Sequence, residues 1–336
     1  MESLVEALEE VKQPESRLCL YKAKKSPNDQ DSRRESFLIN HKRLREDALN
    51  KLRGIVENDL EEESYNPRFY RKFEGALMIS EWLEEIPDSL EDEWIVVVCP
   101  VGQRCLVVAS QGKTRAFAKS GRFLARHPSM LPDGCINPGR SLTSRPTYID
   151  CIYSESMETY FVLDVLMWNG LQVVDCDTEF RFSWIASHLE ETKDLQKKSR
   201  RNPYSFVLAP HFPYSPSTLS DKMENLGKRW GPENIDGLLF YHRAIPYISD
   251  TSPLVGWLEP FMVPERLGVP LPASFMSKKP ADYTNFSDYI KNHGDVYKKK
   301  PKKGYSGIKS YDQVDSKMDD EEEKVKVMKS SFMEYR

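Results

Sequence analysis

Six tryptophans, six cysteines and one glycine–arginine turn are the residues through which this chain could do chemistry. Cys99 follows the strand-like run EWIVVV, and Gly102 and Arg104 come next in CPVGQRCLVVAS. A thiol in that place could act as a nucleophile, but no carboxylate or histidine stands beside it in the turn to activate it. Cysteines 19, 99, 105, 135, 151 and 176 make no C-x-x-C pair, and the six histidines make no H-E-x-x-H. A structural zinc site wants four ligands in close pairs, so no metal is expected and the thiols are expected to be free. The tryptophans offer a different chemistry, stacking on a flat or cationic ring. Trp94, Trp168 and Trp184 lie in dense apolar or aromatic segments and read as core. Trp257 follows a glycine and precedes Pro260, a pattern that predicts a strand end at a pocket rim.

The elements that position these residues lie in 73–272. The runs IVVVC (95–99), RCLVVAS (104–110), YFVLDVLMW (160–168) and IDGLLFYHR (235–243) predict buried strands. GALMISEWLEE (75–85) and SPSTLSDKMENLGKRW (215–230) read as helical. Strands that do not alternate regularly with helices predict an α+β fold around a mainly antiparallel sheet.

Both flanks are polar. In 17–53, eleven Lys/Arg stand against five Asp/Glu, so a net charge of −4 hides a basic arm. Ser32 and Glu35 form a capping box, and Phe37, Leu44, Ala48, Leu52 and Ile55 mark one face of a helix of about twenty residues. Gly54 is the expected stop. At 1–11, Met1, Leu4, Leu8 and Val11 make a short amphipathic stripe, too short to be stable alone. From 281 a Lys-rich block and an acidic block lack the apolar area to fold, and disorder is expected. With no apolar run near ~20 residues and an acidic N-terminus, the chain is expected to be soluble and intracellular.

Five landmarks resemble, in order, the core of mRNA guanylyltransferases and DNA ligases. These are Cys99–Arg104, Asp150-Cys151-Ile152, YFVLDVLMWN (160–169), DGLLF (236–240) and LVGWL (254–258). Where those enzymes carry a nucleophilic lysine, a motif carboxylate, a D-G-E glutamate and two phosphate lysines, this chain has Cys99, Val101, Ile152, Gly256 and Leu258. The resemblance implies a nucleotide-binding shell without catalytic residues.

LMISEWL (77–83), DEWIVVVCPVGQRCLVVASQGKT (92–114), AKSG (118–121), FRFSW (180–184), DGLLFYH (236–242) and PLVGWLEPFMV (253–263), joined to a basic arm, are similar to the snurportin family. The resemblance implies a non-enzymatic adaptor that binds the 2,2,7-trimethylguanosine cap of U snRNAs and links the snRNP particle to importin-β. Recycling by an export receptor, exportin, shuttling between cytoplasm and nucleus, no cofactor and no membrane partner are implied as well. Its domains are expected at 1–13 (export-receptor docking), 14–55 (importin-β binding), 56–72 (acidic linker), 73–280 (cap binding) and 281–336 (disordered charged tail). By motif position the cap residues are Trp257 as stacking plane, Trp82 against the methylated edge, Ser80, Gln103, Arg104, Cys105 and Lys119. The importin contacts implied are Arg17, Leu18, Tyr21, Lys22, Lys24, Arg33, Arg34, Lys42, Arg43 and Arg45. The export contacts implied are Met1, Leu4, Leu8 and Val11.

Two other readings stay open at this point. One is a nucleotidyltransferase, or a degenerate relative that binds a 7-methylguanosine cap. Glu259, two residues past Trp257, bears on it, because a carboxylate there faces solvent or favours a cap with a free amino group. The other is an importin adaptor that grips protein cargo.

Overall fold

In the computed structural model, residues 29–60, 73–136 and 145–293 are described. The arm forms α1 (Gln30–Ile39) and α2 (His41–Leu60). Asp29 caps α1 by accepting from the Asp31 amide, so the helix starts ahead of the expected Ser32 box. The single helix expected is broken at Asn40, whose amide reaches back to the Leu38 and Ser36 carbonyls. Gly54 does not stop α2, which continues into the expected acidic linker. The apolar face read from the sequence is used: Ala48, Leu52 and Ile55 are buried in the main core.

The core follows in the order β1 (Met78–Trp82), α3 (Leu90–Glu93), β2 (Trp94–Pro100), β3 (Gln103–Ser110), β4 (Lys113–Ala118), β5 (Phe123–His127), β6 (Thr147–Ser154), β7 (Thr159–Trp168) and β8 (Leu171–Gln172). Then come α4 (Thr178–Glu191), β9 (Ser205–Leu208), β10 (His211–Pro213), α5 (Pro216–Trp230), β11 (Ile235–His242), β12 (Asp250–Leu258), α6 (Val263–Leu267), α7 (Ala273–Met276) and α8 (Phe286–His293). Among the described residues these strands make two sheets. One runs β1-β12-β11-β2-β10; the other runs β5-β4-β3-β6-β7-β8, with β9 added beside β7. Pairing is antiparallel except between β1 and β12 and between β7 and β9. The fold is α+β with mainly antiparallel sheets.

Continuous apolar strands arise because the second sheet is covered on both faces. Leu106 and Val108 face the core shared with the first sheet, while Cys105, Val107 and Ala109 face a second core that includes Ile185 and Leu189 of α4. A two-sided strand has no reason to alternate polar and apolar residues. Local signals set the helix ends. Asp177 caps α4 through the Phe180 amide; Ser215 caps α5 through Thr218, with Pro216 in the first turn and Gly231 (φ 82°) closing the end.

Two further expectations, in the core and the tail, are corrected. The helical reading of 75–85 gives way to strand β1, whose short apolar run lies beside β12. The tail from 281 begins with a folded helix, because Phe286, Tyr289 and Ile290 recur at helical spacing and bury.

Candidate functional site

β1 is the strand around which the expected site residues gather. In parallel register Trp82 lies beside Trp257 and Ser80 beside Ser252. Neighbouring strands run about 4.8 Å apart, so the two tryptophans are side by side at the end of the sheet. Glycines make room for this arrangement. A Cβ on Gly237 of β11 would lie 2.2 Å from the Trp257 ring, so the indole packs directly against bare backbone. A Cβ on Gly256 would meet Leu83 at 2.7 Å, and Leu83 thus fills the space that a motif lysine at 256 would need.

The second sheet reaches β1 through two links. The Arg104 guanidinium donates to both Asp150 oxygens (3.1 and 2.7 Å) and to the Met78 carbonyl (2.7 Å). The Tyr247 hydroxyl donates to Asp150 (2.8 Å) and accepts from the Met78 amide (3.0 Å). Arg104 and Asp150 are both fully buried. Burial pulls the Arg104 pKa down, but the Asp150 carboxylate outweighs it and holds the guanidinium charged. Lys119, half-buried, follows β4, and its carbonyl accepts from Gly75 just ahead of β1.

Not all of the expected cap residues face one another. Arg104 is committed to joining the sheets. The Cys105 side chain points into the second core beside Cys151, away from the tryptophans. Gln103 is half-buried and donates to the Arg104 carbonyl (3.1 Å). Ser80 and Trp257 are fully buried, and Trp82 is 8% exposed. The expected rim position of Trp257 is therefore an interior one.

Two segments outside the sheets close over this end. From the C-terminal side, Phe286 and Tyr289 of α8 meet the Trp82 ring edge-to-face, with centroids 5.9 and 6.0 Å away. Arg266 lies 4.3 Å over the Phe286 ring, and Glu265 accepts from the Phe286 amide and the Tyr283 hydroxyl. Tyr289 also hydrogen-bonds Glu259, and burial followed by that carboxylate raises the tyrosine's pKa. From the N-terminal side, Gln30 donates to the Trp82 carbonyl (2.8 Å) and Arg33 pairs with Glu81. Arg34 is buried, donates to the Pro253 and Glu85 carbonyls, and lies 5.4 Å over Trp94. Sequence reasoning missed α8 and the inward use of Arg34. The aromatic spacing at 286–290 was the available signal for α8.

Of the other arm residues, Lys42 and Arg43 are exposed on α2, and Arg45 is half-buried. Arg17, Leu18, Tyr21, Lys22 and Lys24, and the stripe Met1, Leu4, Leu8 and Val11, lie outside the described residues.

Cys99 is fully buried in β2, and burial pushes its thiol well above the usual range. A thiolate there is suppressed, which removes the nucleophile that the turn would need. Among the described residues the cysteines are free, no group of metal-ligating side chains forms, and no helix is long and apolar enough to cross a membrane.

Residues 76–260, more than half of the chain, match the family model described as the Snurportin1 m3G cap-binding domain, and residues 16–54 match the model described as Snurportin1. Among solved structures, the chain is similar to the ligase domain of LigD from M. tuberculosis, at 13% identity over 54% of this chain and 59% of that chain, with a TM-score of 0.34. It is also similar to a Lig E DNA ligase, at 14% identity over 54% of this chain and 67% of that chain, with a TM-score of 0.36.

Proposed function

The chain belongs to the snurportin family, whose m3G cap-binding import adaptors it matches in both core and arm, and on that premise we propose that it carries a trimethylguanosine-capped U snRNA, within its snRNP, to importin-β. The basic arm of 14–55 binds importin-β, and an export receptor returns the empty adaptor through the 1–13 stripe. The protein shuttles between cytoplasm and nucleus, uses no membrane partner and catalyses nothing.

The observation that carries this reading is the adjacency of Trp82 and Trp257 on paired strands. Trimethylated guanine is flat and positively charged, so an indole gains both dispersion and cation–π attraction, worth about 1–3 kcal/mol. Its exocyclic nitrogen has lost both donors, and apolar surroundings suit it better than a carboxylate. Glu259 is the carboxylate at hand, and its bond to Tyr289 supports trimethyl over monomethyl selectivity. Lys119 supplies positive charge for the triphosphate bridge. The buried, protonated Cys99 supports a binding role over nucleotidyl transfer.

The test is tryptophan fluorescence quenching by trimethyl- and 7-methylguanosine cap dinucleotides, on wild type, Trp82→Leu and Trp257→Phe. Quenching by the trimethyl form alone, weakened in both variants, is expected. Equal quenching by both caps would mean a broader cap binder. For the arm, Lys42→Glu with Arg43→Glu, both on exposed surface, should weaken importin-β pull-down; unchanged capture would overturn that part.

A further inference from the structure

The loop Lys197-Lys198-Ser199-Arg200-Arg201 is a dense run of exposed cations on the core domain, and the cap reading does not use it. It is a built loop. Asn202, fully buried, donates to the carbonyls of Asp194, Leu195 and Lys197, and its side-chain oxygen accepts from the Met130 amide. Backbone bonds between Ser199 and Asn202 close the turn. The cations are therefore displayed on a held backbone, which lowers the ordering cost of binding.

Register fixes where the loop stands. It leads into β9, where Ser205 pairs with Thr159 at the start of β7. Ser154 at the end of β6 pairs with that same Thr159, and the neighbouring Tyr153 pairs with Gln103 at the start of β3. Ala118, next to Lys119, pairs with Cys105 on the other side of β3. Lys119, Gln103 and the basic loop thus share one end of the second sheet. Three strand spacings, about 14 Å, separate Gln103 from β9. Lys198 reaches the β6–β7 turn directly, pairing with Glu158 at 2.6 Å. That pair offsets one of the two glutamates of the turn, Glu155 and Glu158, and Asp194 is the nearest other carboxylate in sequence. Lys197, Arg200 and Arg201 remain exposed to solvent.

We infer that this loop is a contact for the phosphates of the RNA body, a few nucleotides downstream of the cap. The inference rests on the cap reading, because an RNA whose triphosphate bridge lies at Lys119 leaves over this end of the sheet. Phosphate contacts of this kind add affinity without reading sequence and weaken with salt. The loop would make the protein discriminate a capped chain from a capped dinucleotide.

The experiment compares a trimethyl-capped dinucleotide with a trimethyl-capped ten-nucleotide RNA, on wild type and on Lys197→Glu/Arg200→Glu/Arg201→Glu, at 50 and 200 mM salt. Wild type should bind the longer RNA about 50-fold more tightly than the dinucleotide at 50 mM salt and about two- to threefold more tightly at 200 mM. With three phosphates engaged, that RNA's affinity should fall roughly 20-fold more steeply between the two salts than the dinucleotide's. The triple variant should lose the length gain and keep its dinucleotide affinity, which also shows that it is folded. A length gain retained by the variant, or absent from wild type that binds the dinucleotide, overturns the loop and leaves the cap site standing. Failure of wild type to bind the dinucleotide overturns both.

Discussion

Arg33 grips Glu81 through both carboxylate oxygens, Nη1 to Oε1 at 2.5 Å and Nη2 to Oε2 at 2.6 Å, and so ties the basic arm to the strand that carries Trp82. An arm that binds a partner through Arg33 must first give up this fork. Paired, partly sheltered forks of this kind are worth about 1–2 kcal/mol. Glu81→Gln should therefore raise importin-β affinity by about 5- to 30-fold, and amide exchange over residues 30–39 should quicken. Unchanged affinity and exchange would show that the fork does not hold the arm.

Phe286 and Tyr289 cover Trp82, the ring expected against the methylated edge of the cap, and a bound cap needs that ring uncovered. Removing both rings with Phe286→Ala and Tyr289→Ala should release about 1–3 kcal/mol of edge-to-face contact. Iodide quenching of tryptophan emission should increase, and the trimethyl cap dinucleotide should associate faster. Slower association would make α8 a wall of the site instead of its cover.

Gly237→Ala places a methyl within the Trp257 ring. Overpacking of this order costs about 1–3 kcal/mol, and the indole has to tilt off the strand. Denaturant unfolding should show the loss, and cap-induced quenching should fall in the protein that stays folded. Full quenching with a shifted melting point would separate Trp257 from the cap.

Arg104→Met leaves the Asp150 carboxylate buried without its guanidinium. The expected loss is about 3–5 kcal/mol, read from urea unfolding. Pairing it with Asp150→Leu should recover part of that loss, since an apolar pair in such a place is often no worse than the ion pair. Equal destabilisation of single and double variants would assign the loss to packing alone.

His127 is buried: its Nδ1–H donates to the Pro128 carbonyl (3.0 Å), its Nε2 accepts from the Tyr160 hydroxyl (3.0 Å), and burial lowers its pKa to about 4. The folded state therefore takes up this proton less readily than the unfolded chain, whose histidine titrates near 6.5. The contribution is complete above about pH 6.5 and is lost as pH falls through about 4, with about 2 kcal/mol gone between pH 7 and 5. His127→Phe should flatten that part of the stability profile relative to wild type, whatever its melting point. His211 and His242, also shifted down by burial, supply the slope that remains.

The strands were legible where the chain is buried on both sides. β2, β3, β7 and β11 read directly from their apolar runs, because nothing in a two-faced sheet interrupts them. β1 was not, since five residues flanked by Leu77 and Leu83 fit a helical stripe as well as a strand, and only pairing with β12 decides. On the arm, Ala48, Leu52 and Ile55 announced a buried face, but the burial of Arg34 depends on backbone acceptors that no residue type reveals. Trp82 and Trp257 could be named from their motifs. Their depth could not, because it depends on the distant rings of α8 and on the missing side chain of Gly237.

The register of β1 on β12 jumps from Ser80 opposite Ser252 to Glu81 opposite Gly256, so Pro253, Leu254 and Val255 have no counterpart on β1. A proline is tolerated at such a break, and the carbonyl of Pro253 there accepts from Arg34. The anchoring point for the arm is thus a property of chain path and belongs to no side chain. Alanine scanning along β12 would pass over it, and sequences that share no residues at 253–255 would still present it if they kept the detour. Shortening the strand until the two ladders match would erase it, leaving every arginine of the arm in place with one acceptor fewer to hold.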